Sequence, residues 1–281
     1  AEKSYHGHTG FSLSGIGRDA YQKPFRPLMP DFERVPFGDL PAMERAIDDR
    51  TACVILEPIL GEGGIVIPPA GYLEGVRALC DQKKALLIID EIQTGWGRTG
   101  KMFGIEHTSV IPDIMTVGKS LGGGLFPITA ALYRPEIQDF LFSNPFIHFS
   151  TFGGADLGCA VALEVIRYIQ ENQLCDHSRR MGELFTQGFN KLQKKYPQIL
   201  AEYRSRGLMM GLQYTHESLG PRMSLELSKQ GVIAVFSGND PRVMRIMPTL
   251  VITSADVEFV LNALDLSMKA LIQKGENGQH K

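Results

Sequence analysis

A chain of 281 residues with 43% hydrophobic residues has room for one large domain or two smaller ones and can bury a sizeable core. A net charge of −2 gives no electrostatic footprint for nucleic acid, and no apolar stretch approaches the length of a membrane span. Ala1-Glu2-Lys3-Ser4 does not read as a secretion signal, and the absence of an initial Met leads us to expect a processed, tagged or truncated chain.

In chain order, a helix is expected from Asp39, with Pro41 in its first turn. A second is expected near Tyr72, with Leu73, Val76, Leu79 and Cys80 on one face. The apolar runs 53–56, 86–89 and 114–117 lack alternation, as parallel strands buried on both faces do. Residues 128–132 form an expected fourth strand. This βαβ rhythm predicts an α/β domain. From Asp156 to Tyr196 the pattern is helical, first with Leu157, Val161, Glu164 and Val165 along one face, then with Met181, Leu184, Phe185 and Leu192. Strands are expected at 208–214, 232–236 and 243–246. A closing helix starts near Ser254 with Val257, Val260, Leu261 and Leu264 inward, and Thr253 and Asp256 can form a capping box. Residues 1–171 are read as a large domain, 172–281 as a smaller α+β domain, and 275–281 as a disordered tail.

Two motifs mislead. Gly95-Trp96-Gly97-Arg98-Thr99-Gly100 matches G-x-G-x-x-G, but Asp90 to Thr94 separate it from the strand and no amphipathic helix follows. Gly118-Lys119-Ser120 resembles the end of a P-loop, but Asp113 stands where that motif needs glycine. Cys53, Cys80, Cys159 and Cys175 form no C-x-x-C and read as buried, reduced thiols of a cytosolic protein. His6 and His8 lack a third ligand nearby, so no metal is expected.

The three apolar runs end in Glu57, Asp90 and, after Gly118, Lys119. One lysine and two carboxylates thus share the strand ends where an open α/β sheet forms its ligand crevice. A lysine facing a fixed aspartate suits a Schiff base whose cofactor ring needs an anionic partner.

Leu56-Glu57-Pro58 with Gly61-Glu62-Gly63-Gly64, Asp90-Glu91-Ile92-Gln93-Thr94-Gly95, Gly118-Lys119 with Gly122-Gly123-Gly124, and Ser150-Thr151-Phe152-Gly153-Gly154 together resemble the class III (ω-) aminotransferases. The resemblance runs from Tyr5 to the closing helix. It is greatest to putrescine aminotransferases, then to ornithine and acetylornithine aminotransferases. It implies the fold type I architecture of pyridoxal-phosphate enzymes, a large, mostly parallel sheet with helices on both faces plus a smaller C-terminal α+β domain. Lys119 would bond pyridoxal phosphate and shuttle a proton, Asp90 would pair with the ring nitrogen, and Gln93 would reach the ring hydroxyl side. Tyr5, next to His6 in the same cofactor-binding motif, would stack on the ring. Thr151 would reach the phosphate of a neighbouring subunit, implying a homodimer with shared active sites. Glu62 and Arg245 would form a switch that opens for a 2-oxo acid carboxylate. A free lysine titrates at about 10.4, so a base working near neutrality requires about 4 kcal/mol of altered environment, here expected from burial and a cationic ring.

His8 stands where the ornithine and acetylornithine enzymes carry an arginine for the substrate α-carboxylate. Mostly uncharged near neutrality, it favours a diamine-like donor. Ala155-Asp156 replaces a common Asn-Pro. The region that precedes the Tyr5 motif in the family, including a phosphate-binding helix N-terminus, is not in this sequence, which implies the later part of a longer enzyme or one piece of a cleaved one. Transamination from putrescine or a related amine to a 2-oxo acid such as 2-oxoglutarate is the leading reading. Ornithine-type transamination, decarboxylation or intramolecular amine transfer, and a non-catalytic fragment are the rivals.

Overall fold

The structure, a computed structural model, describes residues 1–278. The chain divides into two compact units. The first holds Ala1–Ile59, Pro68–Gly97 and Lys101–Gln173; the second holds Leu60–Ile67, Arg98–Gly100 and the chain from Leu174 onward. Two short segments from the front half of the sequence therefore belong to the second unit, which a single division after residue 171 does not provide for.

In the first unit two short helices, α1 (Gly10–Gly15) and α2 (Asp19–Gln22), precede α3 (Leu40–Ala46). The Asp39 carboxylate caps α3 by accepting from Ala42 N at 2.9 Å, and Pro41 occupies the first turn, where no N–H is missed. Strand β1 (Cys53–Leu56), helix α4 (Tyr72–Lys83), strand β2 (Leu86–Asp90) and strand β3 (Ile114–Val117) build the parallel part of the sheet. The fourth strand, β4 (Ala130–Tyr133), starts two residues later than expected and runs antiparallel to β3 at the edge.

Val54, Leu56, Leu87 and Ile89 bury against Leu73, Val76 and Cys80 of α4 and Met43 of α3. The alternate positions correct the expectation of strands buried on both faces. Cys53 and Leu86 are exposed, and Ile55 and Ile88 only half-buried, so the second face of β1 and β2 is partly covered among the described residues. Helices α5 (Pro135–Ser143) and α6 (Asp156–Glu171) complete the unit. The expected inner face of α6 was off by one position. Gly158, Ala162 and Ile169 are its buried residues, while Leu157 and Leu163 are about two-thirds exposed at 65% and 66%.

In the second unit α7 (Leu174–Lys195) leads to β5 (Leu200–Arg206), β6 (Met209–Tyr214), α8 (Leu219–Lys229), β7 (Val235–Phe236), β8 (Val243–Ile246) and α9 (Ser254–Gly278). The sheet is antiparallel in the order β5-β6-β8-β7. Phe185, Phe189, Leu212, Met223, Leu227 and Leu264 are its fully buried centre. Thr253 and Asp256 cap α9 reciprocally, with Thr253 N to Asp256 Oδ2 at 2.9 Å and Asp256 N to Thr253 Oγ1 at 3.2 Å. Contrary to the expected disorder from Gly275, α9 continues to Gly278; residues 279–281 lie outside the described part. No described helix is long and apolar enough to cross a membrane, and no described group of three or more His, Cys, Asp or Glu side chains could hold a metal ion.

Asp113 locks the strand entries of the first unit. Its carboxylate accepts from Leu87 N of β2 at 2.7 Å and from Arg77 of α4 at 2.6 Å, with Arg134 Nη1 3.3 Å away. Burial opposes its ionisation, but the Leu87 amide and the Arg77 guanidinium outweigh it, and the carboxyl is held below the usual carboxylate range. A depressed carboxyl pKa stabilises fully above the unfolded value of about 3.9 and ceases to do so as pH falls through the native value. Asp113→Asn is expected to lose about 2 kcal/mol near neutrality and to flatten the fall of Tm as pH drops below about 4. An unchanged acid limb in thermal melts would contradict this.

Candidate active site

Parallel pairing fixes which residues meet. Asp90 closes β2 opposite Thr116 of β3, Glu57 follows β1, and Lys119 lies just past β3, so all three occupy one end of the sheet. Asp90 is buried, and both its oxygens are engaged. Oδ1 accepts from Ile92 N at 3.0 Å, and Oδ2 lies 2.8 Å from His6 Nδ1. An ionised carboxylate only accepts, so Nδ1 of His6 carries the hydrogen. The His6 side chain is only 3% exposed, and its Nε2 has no hydrogen-bond partner among the described residues. Glu57 accepts from Tyr5 N at 3.0 Å. The Tyr5-His6 dipeptide is thus tied to the ends of β1 and β2. The Tyr5 ring lies 5.3 Å from that of His8, which in turn lies 5.5 Å from Tyr21. Gln93 Oε1 is buried and also lacks a partner among the described residues.

The chain passes from β3 to Lys119 through Gly118, where a β-carbon would sit 2.8 Å from Thr129 Cγ2 and 2.9 Å from Ile92 Cδ1. A larger residue there would have to displace both side chains. Lys119 itself adopts φ +46°, a left-handed conformation unusual for a side-chain-bearing residue, and opens a short 3-10 turn to Gly122. The expectation of a dry lysine does not hold within this chain. Lys119 is exposed and lines an open cavity of about 500 Å³ with the segment 124–129. Thr151 is exposed in a turn of the first unit.

Glu91, which carried no role in the sequence reading, is fully buried. It accepts from Gly104 N at 2.8 Å, from Ile105 N at 2.7 Å and from the Thr94 hydroxyl. Burial pushes its carboxyl up, and these donors oppose the shift. The carboxylate ties the start of the 91–105 loop to its end, holding the turn that carries Gln93. The misleading glycine motif lies within this loop, and a four-residue 3-10 turn, not a helix, follows it. A second carboxylate directly after a strand-ending aspartate was the available signal.

Glu62 and Arg245 belong to the second unit and form an ion pair there. Arg245 stands on β8 between Gly211 of β6 and Val235 of β7. Glu62 sits in a segment closed by the Leu60–Val66 bridge, and its carbonyl accepts from the Ser237 hydroxyl. The side chains are 16% and 24% exposed, which is more burial than an ordinary surface ion pair has. Arg245 Nε is buried without a partner among the described residues. A guanidinium bound by one carboxylate, with donor capacity to spare, is suited to exchanging carboxylates.

The family model for class-III aminotransferases matches residues 1–268. An uncharacterized aminotransferase of Archaeoglobus fulgidus is 42% identical over 276 residues, which are 98% of this chain and 65% of that protein. The crystal structure of the ornithine aminotransferase from Toxoplasma gondii superposes with a TM-score of 0.91 at 36% identity, covering 97% of this chain and 64% of its own. A transaminase from the marine bacterium Virgibacillus superposes with a TM-score of 0.90 at 28% identity, over 97% of this chain and 67% of its own. This chain therefore spans somewhat less than two thirds of the length of the first two proteins. A second structure of the Toxoplasma enzyme carries pyridoxal phosphate at partial occupancy in its active site. With this α/β architecture, the chain belongs to the class III aminotransferase family, whose members are pyridoxal-phosphate enzymes of fold type I.

Proposed function

We propose that the whole protein moves a terminal amino group from putrescine or a related amine to a 2-oxo acid such as 2-oxoglutarate. The observation that carries this reading is the buried Asp90–His6 pair on the strand next to the one that delivers Lys119.

The residues present fit pyridoxal phosphate. His6 Nε2 and Gln93 Oε1 are buried polar atoms in need of partners, and Asp90 offers the acceptor charge that a protonated pyridine nitrogen requires. When bound, the cofactor supplies the electron sink that this chemistry needs. Asp90 would hold the ring nitrogen, with His6 fixing the orientation of its carboxylate. Tyr5 would lie against the ring, and Gln93 would reach the hydroxyl side. Lys119 Nζ would carry the proton between carbon atoms, a role typically contributing about 10² to 10⁴ in rate. Lys119 is exposed here, so the desolvation that this role needs would come from the bound cofactor and substrate.

Thr151 would serve a second copy of the chain. Support comes from the exposed apolar residues around it, including Phe146, Phe149 and Phe152 at 85%, 76% and 84% exposure, more than a solitary surface would carry. In the acceptor half-reaction Arg245 would leave Glu62 and take the carboxylate through its planar fork. For the donor, His8 packs between Tyr5 and Tyr21 and offers no permanent charge for an α-carboxylate. The likeness to the Toxoplasma ornithine aminotransferase favours a second reading, with ornithine as donor. Of the four cysteines expected to be buried only Cys80 is, Cys53 being exposed and Cys159 and Cys175 half-buried; as widely spaced free thiols they suit a cytoplasmic setting.

Three results are expected of the full-length protein. Borohydride reduction followed by peptide mapping is expected to label Lys119, and Lys119→Ala to lose the label and about 10³-fold in kcat; a label elsewhere would refute the assignment. In a donor comparison putrescine and cadaverine should exceed ornithine and acetylornithine in kcat/KM, and His8→Arg should shift preference toward the amino acids by about tenfold. Preference for ornithine in the parent would establish the second reading. Sedimentation at micromolar concentration should give a dimer, and a monomer with full activity would exclude shared sites.

A further inference from the structure

The second unit contains an arginine that the reading above leaves unused. Arg98 is half-buried and has no carboxylate partner among the described residues. Burial lowers its pKa to about 10, which leaves it charged near neutrality. Its surroundings explain why a cation is kept there.

Strands β6 and β8 pair through Gly211↔Arg245 and Met210↔Ile246. Carried two residues further, this register sets Leu208 opposite Pro248. Pro248 has no N–H, so the ladder cannot continue through it. Arg98 Nη1 takes over, donating to Pro248 O at 2.5 Å and to Leu208 O at 3.3 Å. The backbone of Arg98 is held by the same strand end. Its carbonyl accepts from Leu208 N at 3.0 Å and from Ser178 Oγ at 3.0 Å, and Leu208 N also lies 3.2 Å from that hydroxyl. Gly207, at φ +55°, lies so close that a β-carbon would sit 2.5 Å from the Thr99 carbonyl carbon. The site is built to receive this segment.

We infer that Arg98 is a positioning residue for acceptor binding: it closes the open end of the β6–β8 ladder three residues beyond Arg245 and so fixes the face on which Arg245 leaves its strand. The physical reason is register. Side chains alternate with a period of two, so a one-residue slip at a frayed strand end would turn Arg245 to the opposite face. The inference rests on the proposed role of Arg245.

The test uses the full-length, cofactor-loaded protein with Arg98→Met, Arg98→Lys and, in parallel, Arg245→Gln. Arg98→Met should raise the KM for 2-oxoglutarate and the calorimetric Kd for glutarate, its unreactive skeleton, by about tenfold, while the amine half-reaction stays within about twofold. Arg98→Lys should fall between, because an ammonium can still donate to both carbonyls. If Arg98→Met does not fold, the lysine variant carries the same readouts. Unchanged acceptor binding in the Arg98 variants alongside a loss in Arg245→Gln overturns the inference and leaves the Arg245 role standing. Equal losses in both half-reactions reduce Arg98 to general support and also overturn it. Unchanged acceptor binding in Arg245→Gln overturns the role of Arg245 itself and the inference with it.

Discussion

Burying a carboxylate is expensive unless donors surround it, and the first unit is organised around meeting that requirement three times at one end of its sheet. Asp90 is met by Ile92 N and His6, Glu57 by Tyr5 N, and Glu91 by two amides and a hydroxyl. Apart from Gly104 and Ile105, which open a short 3-10 turn, the donors come from segments that have no regular structure of their own. The carboxylates therefore shape the irregular chain around the strand ends, and the irregular chain carries the aromatic and amide groups suited to a planar cofactor. At the opposite end Asp113 does the reverse job and holds the strand entries together.

The second unit solves a different problem with arginines. One, Arg245, is paired with Glu62, the carboxylate we propose it exchanges; the other, Arg98, donates to two carbonyls and has no carboxylate partner among the described residues. A guanidinium satisfied by carbonyls stays put across every charge state of a bound acid. That makes it a sound anchor beside a guanidinium proposed to change its partner.

The legible parts of the fold were those with strong local signals. The apolar runs of β1, β2 and β3, the Asp39 and Thr253 caps and the inner stripe of α7 all appear where the pattern put them. Strand β5 was missed because Leu-Ala-Glu-Tyr-Arg-Ser-Arg is polar and half-exposed, and pairing rather than periodicity makes it a strand. Helix α8 was missed because its buried positions include Gly220 and Glu226, which give no apolar stripe. The α6 face was misjudged because Gly158 and Ala162 pack inward there while Leu157 and Leu163 face outward. The strand ends in the sequence were enough to place Asp90 and Lys119 at one end of the sheet. The Glu62–Arg245 pair, 183 positions apart, was reachable only through resemblance to a family. His6 was placed in the motif, but its hydrogen bond to Asp90 depends on an 84-residue separation that no local pattern encodes.

The backbone of Lys119 has a bearing on how such a protein can be improved. A left-handed φ costs a side-chain-bearing residue about 1 to 2 kcal/mol, and glycine would be relieved of most of it. Selection for heat resistance alone would therefore reward loss of the amine at this position. Any engineering campaign on this scaffold needs turnover in its screen, because a glycine here relieves strain and, on the role proposed for Lys119, removes activity in the same step.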